Sequence, residues 1–179
     1  DIDLSYSIGE SPLHDAVQEM LESAVDLQFG YLSNTLPDSI ILGDSLIIPI
    51  TVTSLTAHSL PSGTSFSREA WLEVKVISDG GNLLYESGVV ESTETLDILD
   101  ADLLLFTTKI LDEDNLEVSS ITKTHNIINQ SLPGFQDRYH SYHVELADTL
   151  SDYVFIEVRM LFRSFKPQHL QEGHAELIL

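Results

Sequence analysis

The sequence contains no cysteine. That single absence excludes disulfides, thiolate metal sites, cysteine nucleophiles and covalent heme of the C-x-x-C-H kind together. Basic residues are also scarce: 8 Lys and Arg stand against 29 Asp and Glu, a formal net charge of −21. Such a surface repels phosphate backbones, so nucleic acid is not an expected partner. It suits basic partners, divalent cations or a medium salty enough to screen self-repulsion. No apolar run approaches the roughly 18 residues of a membrane span, so no insertion is expected. H-E-x-x-H, P-loop, dinucleotide-binding and G-x-S-x-G signatures are all missing, and the chain is expected not to be an enzyme. It starts at Asp1 rather than Met, which reads as a processed product or a piece of a longer, exported polypeptide. A secreted location, extracellular or at the cell surface, is expected, with the periplasm as the alternative.

What is present is alternation. Ser11-Pro12 reads as an N-cap with proline at the first helical position, and Leu13, Val17, Met20, Leu21, Ala24 and Val25 follow at helical spacing. This predicts one N-terminal helix of about four turns. From Leu27 the period changes to two. Ser45–Ser54 (SLIIPITVTS) puts Leu46, Ile48, Ile50 and Val52 on one face, with Pro49 implying an edge strand or a bulge. Residues 71–78 (WLEVKVIS) place Leu72, Val74 and Val76 inward, and Asp79-Gly80-Gly81-Asn82 turns the chain into a hairpin with Leu83-Leu84-Tyr85. Residues 103–111 are expected to pair with residues 117–124 across Asp112-Glu113-Asp114-Asn115. Residues 138–146 and 153–162 alternate in the same way. Seven or eight such strands predict an all-β, antiparallel, Ig-like sandwich with Greek-key connections, preceded by one helix. A closed barrel is the runner-up. The domain division expected is residues 1–26 for the N-terminal segment and helix, and 27–179 for the sandwich.

Candidate chemistry is thin. Seven histidines are dispersed; His140 and His143 fall on opposite faces of one strand and make no chelating pair. Asp112, Asp114 and Glu117, and separately Asp97, Asp100 and Asp102, imitate parts of an oxygen-ligand loop without the glycine and spacing of an EF-hand. Calcium therefore stays open beside the reading as solvated turns. Ser59 or Ser62 with His58 gives a hydrolase reading that lacks the nucleophile elbow.

One block is more specific. Residues 56–88, T-A-H-S-L-P-S-G-T-S-F-S-R-E-A-W-L-E-V-K-V-I-S-D-G-G-N-L-L-Y-E-S-G, resemble the G-H-x-x-P-T-G, Arg, Trp-Leu-x-V, Asp-Gly and Ser-Gly sequence that follows the heme-bearing region of many multiheme c-type cytochromes. The matching positions are His58, Pro61, Gly63, Arg68, Trp71, Leu72, Asp79, Ser87 and Gly88. Residues 105–118 resemble that family's next hairpin, Ser131-Leu132-Pro133-Gly134 its R-I-P-P-G loop, and residues 158–167 its closing strand. Ala57, Ser62 and Ser131 depart from the pattern, and the heme-binding half has no counterpart. The resemblance implies an Ig-like C-terminal domain in an extracytoplasmic setting near hemes, without covalent heme of its own.

Under that resemblance the expected role is an accessory or assembly domain of an extracellular electron-transfer complex or filament. Its partners would be a heme-bearing cytochrome chain or identical protomers joined through strand edges, with residues 2–8 as an exchanged strand. His58 would be an axial ligand to a heme held by the partner, or a hydrogen-bonded shaper of its loop. Arg68 would contact a heme propionate or make a salt bridge; Trp71 would pack beside it or fill the sandwich core. The alternative is a calcium-dependent surface-binding or self-assembling sheath- or adhesin-like protein.

Overall fold

The computed structural model describes residues 14–32, 35–37, 39, 43, 45–90, 94–146 and 153–168. One helix, α1 (His14–Glu22), precedes eight strands: β1 (Val25–Phe29), β2 (Ser45–Ser54), β3 (Glu69–Ser78), β4 (Leu83–Ser87), β5 (Leu105–Leu111), β6 (Asn126–Asn129), β7 (Asp137–Glu145) and β8 (Val154–Arg163). All pairings are antiparallel. They form two sheets, β1-β2-β7 and a second in which β3 is central. The fold is the expected sandwich, not a barrel, since among the described residues no strand bridges the two sheets. In the second sheet β8 runs along one edge of β3 from Glu69 to Ser78, while the other edge is shared by β5 at Glu69–Trp71 and β4 at Val74–Ile77.

The core lies where period two puts it. Leu46, Ile48, Ile50 and Val52 of β2 meet Leu72, Val74 and Val76 of β3, with Phe106, Tyr142 and Val144 filling between them. Each such side chain removed from water contributes on the order of 1.5–3 kcal/mol, enough together to order a chain with no crosslinks.

Four expectations are corrected by the structure. The helix stops at Glu22, because Ala24 and Val25 belong to the start of the sheet: the Leu55 amide donates to the Ala24 carbonyl, and Val25 pairs with Ser54. Met20, expected on its apolar face, is 59% exposed. The Ser11-Pro12 cap falls outside the described residues.

β2 is not an edge strand. It is the middle strand of three, with Pro49 opposite Ser141 of β7. Proline is tolerated because β1 ends beside it. Gly30 still donates its N–H to the Pro49 carbonyl at 2.8 Å, and the Gly30 carbonyl, which proline cannot serve, accepts the Thr51 hydroxyl at 2.6 Å.

Residues 117–124 do not return along β5. They make only a bridge, Leu111 with Glu117, and then enter a 3₁₀ turn at Ile121–Lys123. That edge of β5 is already occupied by β3 and by Ser65, whose carbonyl accepts the Thr108 amide. The chain therefore crosses, and Asn126–Asn129 pairs with the opposite edge.

Trp71 is buried, at 5% exposure, but outside the inter-sheet core. Period two places it on the face of β3 that carries Glu69 and Glu73, under the Arg163 guanidinium 5.0 Å from its ring centroid.

Candidate functional site: a paired-loop rim

The block of resemblance residues leaves β2 at Ser54 and turns at one end of the sandwich. Leu60 exchanges both backbone hydrogen bonds with Leu132, at 2.7 and 2.8 Å. This joins the His58 loop to the loop containing Ser131-Leu132-Pro133-Gly134, so two segments separated by some seventy residues in sequence form one rim. The Phe135 amide adds a bond to the Thr56 carbonyl at 3.1 Å. Gly134 is required by the approach: a Cβ there would lie 2.7–2.8 Å from the backbone of Ala57 and Thr56.

Within this rim His58 is exposed. The Thr56 hydroxyl donates to the His58 carbonyl at 2.7 Å, and His58 Nδ1 lies 3.2 Å from the Ser59 carbonyl oxygen. A carbonyl can only accept, so Nδ1 is the donor in this contact, and in the neutral ring that leaves the lone pair on Nε2. Metal-bound imidazoles are commonly held in this manner, with the non-ligating nitrogen donating to a carbonyl.

Arg68 is half-buried and donates from Nη1 to the Ser62 carbonyl at 2.9 Å, beside Gly63. Its guanidinium thus fastens the loop, and the contact seen is to backbone rather than to a carboxylate. Ser59 and Ser62 have no serine–histidine hydrogen bond with His58 among those found. Phe135, which no sequence pattern singled out, is the other feature of the rim. It is 70% exposed and adopts a φ of 55°, a conformation that a bulky L-residue rarely takes.

The remaining resemblance residues support the fold. Trp71 Nε1 donates to the Gly88 carbonyl at 2.9 Å. Asp100 accepts the Ser87 hydroxyl at 2.8 Å and the Gly88 amide at 2.9 Å, which fixes the exit of β4. Lys166, at 2% exposure, reaches Glu117 at 2.6 Å and ties the residues after β8 to the turn after β5.

A second polar cluster lies behind β4 and β7. The Tyr85 hydroxyl donates to Asp102 at 2.6 Å, and His140 packs edge-on against Tyr142. Burial, reinforced by Asp102 and Asp100, raises both tyrosine hydroxyls far above their ordinary range. Burial lowers His140, against the opposing pull of Asp102 and Asp100. His140 and His143 do lie on opposite faces, His143 being exposed.

The acidic turns cap backbone. Asp112 Oδ1 accepts the Asp114 and Leu116 amides, and Asp97 Oδ1 accepts the Leu99 amide. Among the described residues no group of three histidines or carboxylates is placed to hold a metal ion.

No protein-family model matches the chain, and no curated protein matches it. Among solved structures, the crystal structure of a penta-heme cytochrome c552 from Thermochromatium tepidum shares the fold, with a TM-score of 0.59 and 14% sequence identity. The match covers 87% of this chain and 36% of that chain, so this chain spans about a third of the cytochrome's length. The fold is therefore one that occurs within a multiheme cytochrome.

Proposed function

We propose that this chain is a non-catalytic accessory domain that docks on a heme-bearing chain of an extracellular electron-transfer complex or filament, and that the paired-loop rim is the docking face. The observation that carries the reading is that nearly the whole chain superimposes on part of a penta-heme cytochrome while lacking every cysteine needed to attach heme. Heme would thus be held outside these residues, by a partner chain or by a detached part of the precursor. His58 is the residue proposed to reach it: its Nε2 lone pair is the one an axial ligand uses, and Nδ1 is already engaged. Arg68 retains N–H donors beyond the one given to Ser62, and a propionate would accept them. Phe135, bonded through its amide to Thr56 at the start of the His58 loop, supplies an exposed apolar anchor on the same rim.

The test is to isolate the chain from its source without stripping partners and record its visible spectrum. A Soret band with reduced α and β bands, lost when the chain is separated from the accompanying protein, supports the reading. A featureless spectrum and no affinity for any heme-bearing protein of the same source would remove it. The calcium-dependent surface role is the competing reading. It draws on the net charge, and a calorimetric titration with calcium decides it: heat release with a rise in melting temperature would favour that role.

A further inference from the structure

Among the described residues, one side of the sandwich is open. Along the open side β8 pairs only with β3, so its second edge has no strand among the described residues. Ile156, Val158, Met160 and Phe162 point toward the core yet stay only half-buried. Facing them across the gap is β1, five residues long, with Leu27 half-buried and Phe29 47% exposed. Two recesses of about 550 and 570 Å³ lie between these strands and share Leu27 as a common wall. Together they make a groove along β8 from Ile156 to Phe162. An unpaired strand edge above an uncovered apolar face is a site for strand addition.

The sequence holds a matching strand. Residues 1–9, D-I-D-L-S-Y-S-I-G, alternate without a break: Ile2, Leu4, Tyr6 and Ile8 on one side, Asp1, Asp3, Ser5 and Ser7 on the other. These residues lie outside the described part of the chain. Four apolar side chains at period two, spanning seven residues, match Ile156, Val158, Met160 and Phe162 over the same seven, with Val154 continuing the row beyond them. Charge selects the direction. An antiparallel register with Ile2 beside Phe162 sets Asp1 against Arg163 and Ser7 against Glu157. A parallel register would put Asp3 against Glu157. Antiparallel is also the sense of every other pairing in the sandwich.

We propose that residues 2–8 of a second copy of this chain insert antiparallel along the edge of β8 that no described strand pairs, with Ile2, Leu4, Tyr6 and Ile8 filling the groove. A second copy is favoured by tether length. In the antiparallel register the segment leaves the groove beside Ile156, whereas α1 lines only the recess at the Phe162 end, about 20 Å away by strand rise. Only Gly9 to Leu13 and the first turn of α1 lie between Ile8 and Gln18, the first residue of α1 at that recess, and they would have to run back over this distance to serve their own groove. Head-to-tail donation of this kind propagates into open chains of protomers. It does not depend on the heme-docking reading.

The net charge of −21 opposes self-association, so assembly held by strand addition and apolar burial strengthens with salt rather than weakening. The experiment is sedimentation of the full chain over a range of concentrations, at about 0.1 M and about 1 M salt. It is run beside the double variant Leu4→Asp, Tyr6→Asp, whose fold is checked by circular dichroism. The expected result is species larger than a monomer that grow with concentration and salt, and a monomeric double variant. A labelled peptide of residues 1–9 should also bind the double variant, at least about tenfold more tightly than the same peptide carrying the two Asp substitutions. A wild-type chain that is monomeric throughout overturns the proposal, even if the peptide binds the variant, because the segment would then serve its own groove. A double variant that assembles like wild type, or a peptide that does not bind, also overturns it.

Discussion

Trp71 donates its indole N–H to the carbonyl oxygen of Gly88 across 2.9 Å, from the outer face of the central strand to the residue that follows its hairpin partner. The contact is possible because Gly88 has a φ of +67° and carries no side chain; a Cβ there would lie 2.2 Å from the Leu72 carbonyl oxygen. Gly88→Ala is therefore expected to destabilise the chain by roughly 2–4 kcal/mol, since left-handed strain and a backbone clash add. Trp71→Phe keeps most of the packing and should cost less, about 1–2 kcal/mol. Urea unfolding of the two variants checks the order. Equal or inverted costs would mean that the Gly88 backbone can move aside.

Glu69 and Glu73 are buried on that same outer face and are paired with Arg163 and Arg159 of β8. Arg163 is itself nearly buried and stacks over Trp71. Arg163→Met alone should cost about 3 kcal/mol or more, because it strands a buried carboxylate. Combining it with Glu69→Gln should restore much of that loss. A double-mutant cycle reads the coupling directly; additive effects would show that Glu69 finds water or another partner once Arg163 is gone.

His140 links the polar cluster to pH. Its Nε2 is buried without a hydrogen-bond partner, and burial lowers its folded-state pKa, with His143 adding to the effect and Asp102 and Asp100 opposing it. The folded state therefore prefers the neutral ring, and the unfolded state takes up the proton first. Stability from this residue is complete above the unfolded value of about 6.5 and declines as pH falls through it toward the lower folded value. His140→Gln should flatten the slope of unfolding free energy between about pH 7 and pH 5 relative to wild type. The difference between the two curves isolates His140 from the other histidines and carboxylates. An unchanged slope would mean the protonated ring is accommodated in the fold.

Much of the fold is legible in the sequence because alternation is a local property. Leu46, Ile48, Ile50 and Val52 alternate with Ile47, Pro49, Thr51 and Thr53, and all four end fully buried. What the sequence hides depends on neighbours brought from afar. Pro49 looks like an edge residue until Gly30 is seen to stop beside it and take the Thr51 hydroxyl instead. The return from Asp112 looks like a simple hairpin until β3 is seen to hold that edge of β5. Lys166 looks like a surface lysine until Glu117 meets it from 49 positions away. The rim is half legible. His58 and Gly134 each stand in a recognisable motif, but the pairing of Leu60 with Leu132 that joins them is long-range. Phe135 carries no sequence signal at all, because its conformation is imposed by the Phe135 amide bonding to Thr56 after a tightly fitted glycine.

That conformation gives the rim a signature separable from stability. An exposed phenylalanine held at a φ of 55° contributes little burial and carries the cost of a left-handed backbone. Phe135→Gly removes the cost and is expected to stabilise the isolated chain, or leave it unchanged, by up to about 1 kcal/mol after the entropy glycine adds to the unfolded state. His58→Ala should also leave the melting temperature nearly unchanged, since the ring is exposed and makes one contact to its neighbour's carbonyl. If the rim docks on a heme-bearing chain, both variants should lose about tenfold or more in affinity for it, an opposite response in binding and in folding. Calorimetry on the isolated chain and binding to the co-purified partner read the two quantities separately. Loss of stability in parallel with loss of binding would assign these residues to holding the loops together, and the docking face would have to lie elsewhere on the sandwich.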